Sequence, residues 1–127
     1  MFMPEIPREH RNGDCGSTAY HVAHRFHLHG EDALIVHGVP VGQGPYNSGL
    51  RFFHAWVETH NDHPLGGIAV DRSNGLDVEM PKVLYYQIGR MDEEHVRRYT
   101  LEEAEKHMAD TGHFGPWDDG LQDMAEV

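Results

Sequence analysis

Two alternating runs constrain this chain more than any other feature. In Arg51-Phe52-Phe53-His54-Ala55-Trp56-Val57-Glu58, an extended backbone sends Phe53, Ala55 and Val57 to one side and Phe52, His54, Trp56 and Glu58 to the other. Ile68-Ala69-Val70-Asp71 repeats the alternation after a polar, Gly- and Pro-containing connection from Thr59 to Gly67. Folding the runs into a hairpin about the midpoint between Asp62 and His63 pairs Val57 with Ile68, Ala55 with Val70 and His54 with Asp71. Directly opposed residues share a face, with Cβ atoms about 4.5–5.5 Å apart. One face is then apolar, and the other sets an imidazole beside a carboxylate. A slip of one residue would reverse the faces, so the expectation depends on register.

The rest of the chain supplies helices to cover such a sheet. Residues 1–14 read as an irregular arm ending in a turn at Asn12-Gly13. Cys15, Ala19, Val22, Ala23 and Phe26 then fall on one helical stripe. Asp14 is placed to cap this helix and Gly30 to end it. Ala33 to His37 reads as a short buried strand, and Gly38 to Gly49, with its glycines and prolines, as a loop. Arg72 to Pro81 is expected to be turn-rich, Lys82 to Met91 to be a strand, and Asp92 to Tyr99 leans to helix. Thr100 and Glu103 form a capping box for a helix through Ala109 that stops at Gly112. His113 to Trp117 reads as a compact aromatic segment. The order of elements argues α+β, with one domain over residues 1–117 and an acidic tail over 118–127.

Composition narrows the function classes. The 127 residues carry 10 Lys and Arg against 21 Asp and Glu, a formal charge of −11. Such a chain has no general attraction for nucleic acid or anionic membranes. No stretch approaches the ~20 apolar residues of a membrane span, and residues 1–10 lack the apolar run of a signal peptide. A single cysteine allows neither an internal disulfide nor a CxxC metal knuckle, so a reducing cytoplasm is expected.

Cys15 is that lone cysteine, and it opens the first helix. Free N–H groups and the helix dipole favour a thiolate at such a position. A histidine within reach can take the thiol proton and later protonate a leaving group. A carboxylate across the strand fixes the imidazole's tautomer and stabilises its charged form. The Cys15 N–H is a natural oxyanion donor, and a second donor is worth about 2.7–4 kcal/mol in the transition state. Asn12 is a candidate for it, and Trp56, on the His54 face, for shielding the pair from water or contacting substrate.

Asp14-Cys15-Gly16 opening a helix, His54-Ala55-Trp56-Val57-Glu58 on a strand and Ala69-Val70-Asp71 on the next resemble the papain-like cysteine superfamily. The closest likeness is to its transglutaminase-like branch; the Asp14-Cys15 pair is also similar to NlpC/P60 amidases. The resemblance covers residues 14–72 and implies a minimal papain-like core. It also implies Cys15 as nucleophile, His54 as base and Asp71 as orienting acid, with acyl transfer through a thioester. The expected activity is cysteine-dependent hydrolysis of amide bonds in a peptide or similar substrate, with a transglutaminase-type acyltransferase as the alternative. No cofactor is called for. A domain this small leaves substrate-binding lobes to a protein partner or a second copy.

Two other classes compete. His21, His24 and His27 could offer nitrogen ligands to zinc, with His60 and His63 nearby in a loop, but three successive helical steps diverge and no metal ligand set is assigned. A non-catalytic interaction module would use Trp56, Tyr85, Tyr86, Phe114 and Trp117 as an adhesive surface, though in a small domain aromatics more often fill the core.

Overall fold

The computed structural model describes residues 15–44, 48–64, 66–75 and 77–127. Asp14, Asn12 and the Asn12-Gly13 turn lie outside them. The fold is α+β, with a five-stranded antiparallel sheet between helices. Its strands are β1 (Ala33–Gly38), β2 (His54–Thr59), β3 (Ile68–Asp71), β4 (Val78–Pro81) and β5 (Val96–Tyr99), in the order β4-β3-β2-β1-β5. The helices are α1 (Cys15–Leu28), α2 (Lys82–Gly89), α3 (Leu101–Thr111) and α4 (Asp119–Met124).

Strand alternation separates two cores. Ile35, Ala55, Val57 and Val70 face α1, where Cys15, Ala19, Val22 and Ala23 complete one cluster. Val36, Trp56, Ala69, Met91 and Val96 form a second, against Tyr85 and Tyr86 of α2. All six residues of β2 are buried, so this strand is sandwiched and its polar side chains need partners. Glu58 finds several: Arg98 Nε at 2.9 Å, Trp56 Nε1 at 3.2 Å and the Tyr86 hydroxyl. Gly38 is small because the Trp56 ring lies over it; a Cβ there would sit 2.4 Å from the indole.

Several sequence expectations need correction. The β2–β3 hairpin pairs Val57 with Val70 and Thr59 with Ile68, a register displaced by two residues from the symmetric fold. The connection takes positive φ at both ends, at His60 (φ 56°) after β2 and at Gly66 (φ 95°) and Gly67 (φ 108°) before β3. A displacement of two preserves the faces. Residues 82–89 form helix rather than strand. The hydroxyls of Tyr85 and Tyr86, on adjacent positions, both reach acids on the sheet, which a strand pointing them to opposite sides would prevent. The Arg72–Pro81 region contains β4, which pairs with β3. In the Asp92–Tyr99 region only a short 3₁₀ turn (Glu93–His95) is helical, and Val96–Tyr99 is drawn out against β1.

The Thr100 box forms as expected, with Thr100 accepting from the Glu103 N–H and Glu103 from the Thr100 N–H. The acidic segment 118–127 is packed. Asp118 caps α4, Leu121 is fully buried, and the Glu126 N–H donates to the Arg51 carbonyl at 2.8 Å.

Candidate active site

His54 begins β2 and Asp71 ends β3, with side chains on the Trp56 face of the sheet. Continued one step, the observed register opposes Trp56 and Asp71, making His54 the diagonal neighbour of Asp71 rather than its direct partner. An imidazole is long enough to close that diagonal. Nε2 of His54 lies 2.6 Å from Oδ2 of Asp71, and the two residues are 6% and 3% exposed.

The Asp71 carboxylate is almost saturated. Ser73 donates its hydroxyl to Oδ1 at 2.8 Å and its N–H to the same oxygen at 3.2 Å. Tyr85 donates its hydroxyl to Oδ2 at 2.6 Å. Burial alone would raise the Asp71 pKa, but bonds from His54, Tyr85 and Ser73 and the imidazole's charge hold it below the ordinary value.

Cys15 approaches from the other layer. It opens α1, belongs to the core under Ala55 and Val57, and is 6% exposed. Helix α1 also touches the Ser73–Gly75 turn that follows β3. The thiol therefore meets the imidazole at the end of the strands rather than across a face. Its hydrogen bond to His54 is among the interactions that set the histidine's proton affinity. With Nε2 given to Asp71, Nδ1 is the nitrogen left for sulfur. Burial works to lower the His54 pKa. It is outweighed by hydrogen bonds to Asp71 and Cys15 and by their charges, and the value rises to about 9.

Trp56 stacks beside His54, with ring centres 6.0 Å apart and planes at 29°. Its N–H is committed to Glu58, so toward the site Trp56 offers a ring face and not a donor. Phe52 lies against the other side of the imidazole at 5.7 Å. The Cys15 N–H remains in the first turn of α1, where one oxyanion donor was expected.

Sequence reasoning missed Ser73, Gly16 and the contact of Tyr85 with the acid. Gly16 packs so tightly under the His113–Trp117 segment that an added Cβ would sit 2.5 Å from the Phe114 carbonyl. That segment thereby borders the helix end bearing Cys15. The Asp-Cys-Gly sequence was visible, but no local pattern identifies what a glycine packs against.

The histidines of α1 are spread along its surface: His21 and His27 are exposed and His24 half-buried. Among the described residues, ligand atoms able to converge on a cation come from Asp92, Glu94 and His95. There His95 Nδ1 accepts the Asp92 N–H at 2.9 Å. In the neutral ring the proton then sits on Nε2, the nitrogen facing Glu94. A metal would have to displace it.

Comparisons with protein-family models, with curated proteins and with solved structures gave no match. Among the described residues no helix is long and apolar enough to cross a membrane.

Proposed function

We propose that this protein is a cysteine-dependent amide-bond hydrolase, with Cys15 as nucleophile, His54 as acid–base and Asp71 as the group that orients and charges His54. The observation carrying the reading is the buried chain of contacts from thiol to imidazole to carboxylate, with the sulfur at a helix start. A proton held by His54 up to about pH 9 leaves an imidazolium beside sulfur at neutral pH, the partner a thiolate needs.

The thiolate attacks the amide carbonyl and forms a C–S bond. The Cys15 N–H receives the developing oxyanion. His54 delivers its proton to the amide nitrogen as the C–N bond breaks, and the amine leaves. The neutral imidazole then takes a proton from water, whose oxygen attacks the thioester. The C–S bond breaks, releasing a carboxylic acid and restoring the imidazolium–thiolate pair. Asp71 keeps one proton acceptor on Nε2 throughout, so Nδ1 does the transfer.

The resemblance to the papain-like superfamily and its transglutaminase-like branch supports the same three roles and a papain-like core. It also keeps open an amine as acceptor in place of water. Burial of both Cys15 and His54, each 6% exposed, is the observation favouring that transferase reading, because it restricts water.

Iodoacetamide alkylation of Cys15 between pH 6 and 9 tests the proposal. Near pH 6 the wild-type rate should exceed that of His54→Ala by about 10²-fold, the lower range of acid–base assistance, and the gap should close as an unassisted thiol ionises at about pH 8.5. Incubation with a peptide library should leave an acyl adduct on Cys15 by mass spectrometry. Added primary amine would shorten that adduct's life only in the transferase case. Equal alkylation rates in the two proteins, with no adduct, would falsify the hydrolase reading.

A further inference from the structure

The shared oxygen of Asp71 is the least expected feature of the site. In a bare His–carboxylate pair, Oδ2 would face the imidazole alone. Here Oδ2 accepts from His54 Nε2 and from the Tyr85 hydroxyl, each at 2.6 Å. Ser73 serves the other oxygen with two donors. Tyr85 comes from α2, an element outside the Cys, His and Asp segments, and its ring packs on Trp56 at 5.1 Å. We propose that Tyr85 is a positioning residue that moderates the pull of Asp71 on His54 by holding part of the charge of Oδ2.

A general acid works best when its pKa lies near the operating pH, because an acid that holds its proton too firmly does not release it to the leaving group. An imidazole buried against an unshared carboxylate and a thiolate is driven the wrong way by both. A hydroxyl donating to the shared oxygen withdraws charge from the carboxylate and points its own positive end toward the imidazolium. Both effects lower the proton affinity of His54 without removing the orienting bond. The tyrosine itself keeps its proton: burial first, then the charge and hydrogen bond of Asp71, with further contributions from Tyr86 and Cys15, push its pKa upward. It is therefore a permanent donor.

Among the described residues, the groups facing His54 are Asp71, Ser73, Cys15 and the rings of Phe52 and Trp56. Of these only Asp71 and Cys15 ionise, so a shift caused by changing Tyr85 must pass through the carboxylate or act directly on the pair.

The inference rests on the acid–base role assigned to His54, and its test needs no substrate. The His54 imidazole of the full chain is titrated by NMR with labelled histidine in wild type, in Tyr85→Phe and in a protein with 3-fluorotyrosine placed at 85. Loss of the hydroxyl should raise the His54 midpoint by about half to one pH unit, a three- to tenfold gain in proton affinity. The fluorinated ring, a stronger donor of nearly the same shape, should lower it. A Tyr85 that merely held Asp71 in place would give the opposite sign in Tyr85→Phe, since a loosened carboxylate supports the imidazolium less. An unchanged or lowered midpoint in Tyr85→Phe overturns the proposal. Should that variant not fold, the fluorinated protein decides alone, an unchanged or raised midpoint counting against. Failure here with His54-dependent alkylation intact leaves the hydrolase reading standing; absent alkylation with the predicted midpoints sinks the hydrolase alone.

Discussion

His37 and His54 sit on neighbouring strands of one sheet, both almost wholly inaccessible to solvent, and their proton affinities move in opposite directions. His54 has Asp71 and Cys15 against it, and its pKa rises to about 9. His37 points to the other face, among Phe53 (4.9 Å between ring centres), Tyr99 (5.1 Å) and Trp117 (4.6 Å). Among the described residues, neither of its nitrogens finds a hydrogen-bond partner. Burial, then the nearby His107, takes its pKa down to about 3. Gly115 seals the cage, since a Cβ there would fall 2.3 Å from the His37 ring. Desolvation acts on both imidazoles with the same sign; a carboxylate in contact is what reverses the outcome.

The largest effect is expected from making His54 resemble His37. In Asp71→Asn the shape of the pair survives but its charge does not. Desolvation is then opposed only by the contact with Cys15, and the His54 midpoint should fall below the ordinary 6.5 in an NMR titration. Turnover, once a substrate is found, should drop by roughly 10³–10⁴, as expected when a triad loses its acid. A midpoint that stays above 6.5 would mean that Cys15 alone sustains the imidazolium.

The converse change concerns stability. His37→Leu replaces an unpartnered buried imidazole by an apolar group of similar size. It should stabilise the fold by about 1–3 kcal/mol, the desolvation cost of an unsatisfied polar group, read from urea unfolding at pH 7. It should also flatten the acid side of the pH–stability curve. Below 6.5 the unfolded chain protonates this histidine while the native chain does not until about 3, so acid costs stability at up to about 1.4 kcal/mol per pH unit. His54 produces the opposite limb. Its contribution is complete below 6.5 and is lost as pH rises toward about 9, where the native imidazole releases a proton the unfolded chain has already lost. Asp71, with its lowered pKa, adds stability above the carboxylate range that acid removes. Wild-type stability should therefore peak near pH 6.5. An acid limb that persists unchanged in His37→Leu would count against the caged-imidazole account.

The smallest effect should come from Ser73→Ala. It removes one of the donors to Oδ1 and leaves the His54 contact on Oδ2. A loss of about 0.5–1.5 kcal/mol is expected, with little change in the His54 midpoint; a large midpoint shift would show that the two carboxylate oxygens are not separable in their roles.

Much of the frame was legible because it is periodic. The stripe Cys15, Ala19, Val22, Ala23 became the buried face of α1, and Phe53, Ala55 and Val57 faced it, because side-chain direction follows directly from helix and strand repeat. The Thr100–Glu103 box is a contact three residues long and is equally local. Face assignment survived the displaced hairpin register for the same reason: an even shift does not change which side a residue occupies.

Residue order alone dictates which side chains share a face and where helices can begin; the partner each side chain meets depends on how distant segments pack. Lys82 to Gly89 has the β-branched and aromatic composition of a strand, yet Asp71 and Glu58 draw its two tyrosine hydroxyls to one side and the segment coils. The observed β2–β3 register made His54 and Asp71 diagonal partners, and α1 brought Cys15 to them from the opposite layer. His37 and His54 are indistinguishable as letters, both on strands and both beside aromatics. Their difference of several pH units comes from charges and hydrogen bonds supplied by residues distant in the chain, which no local pattern encodes.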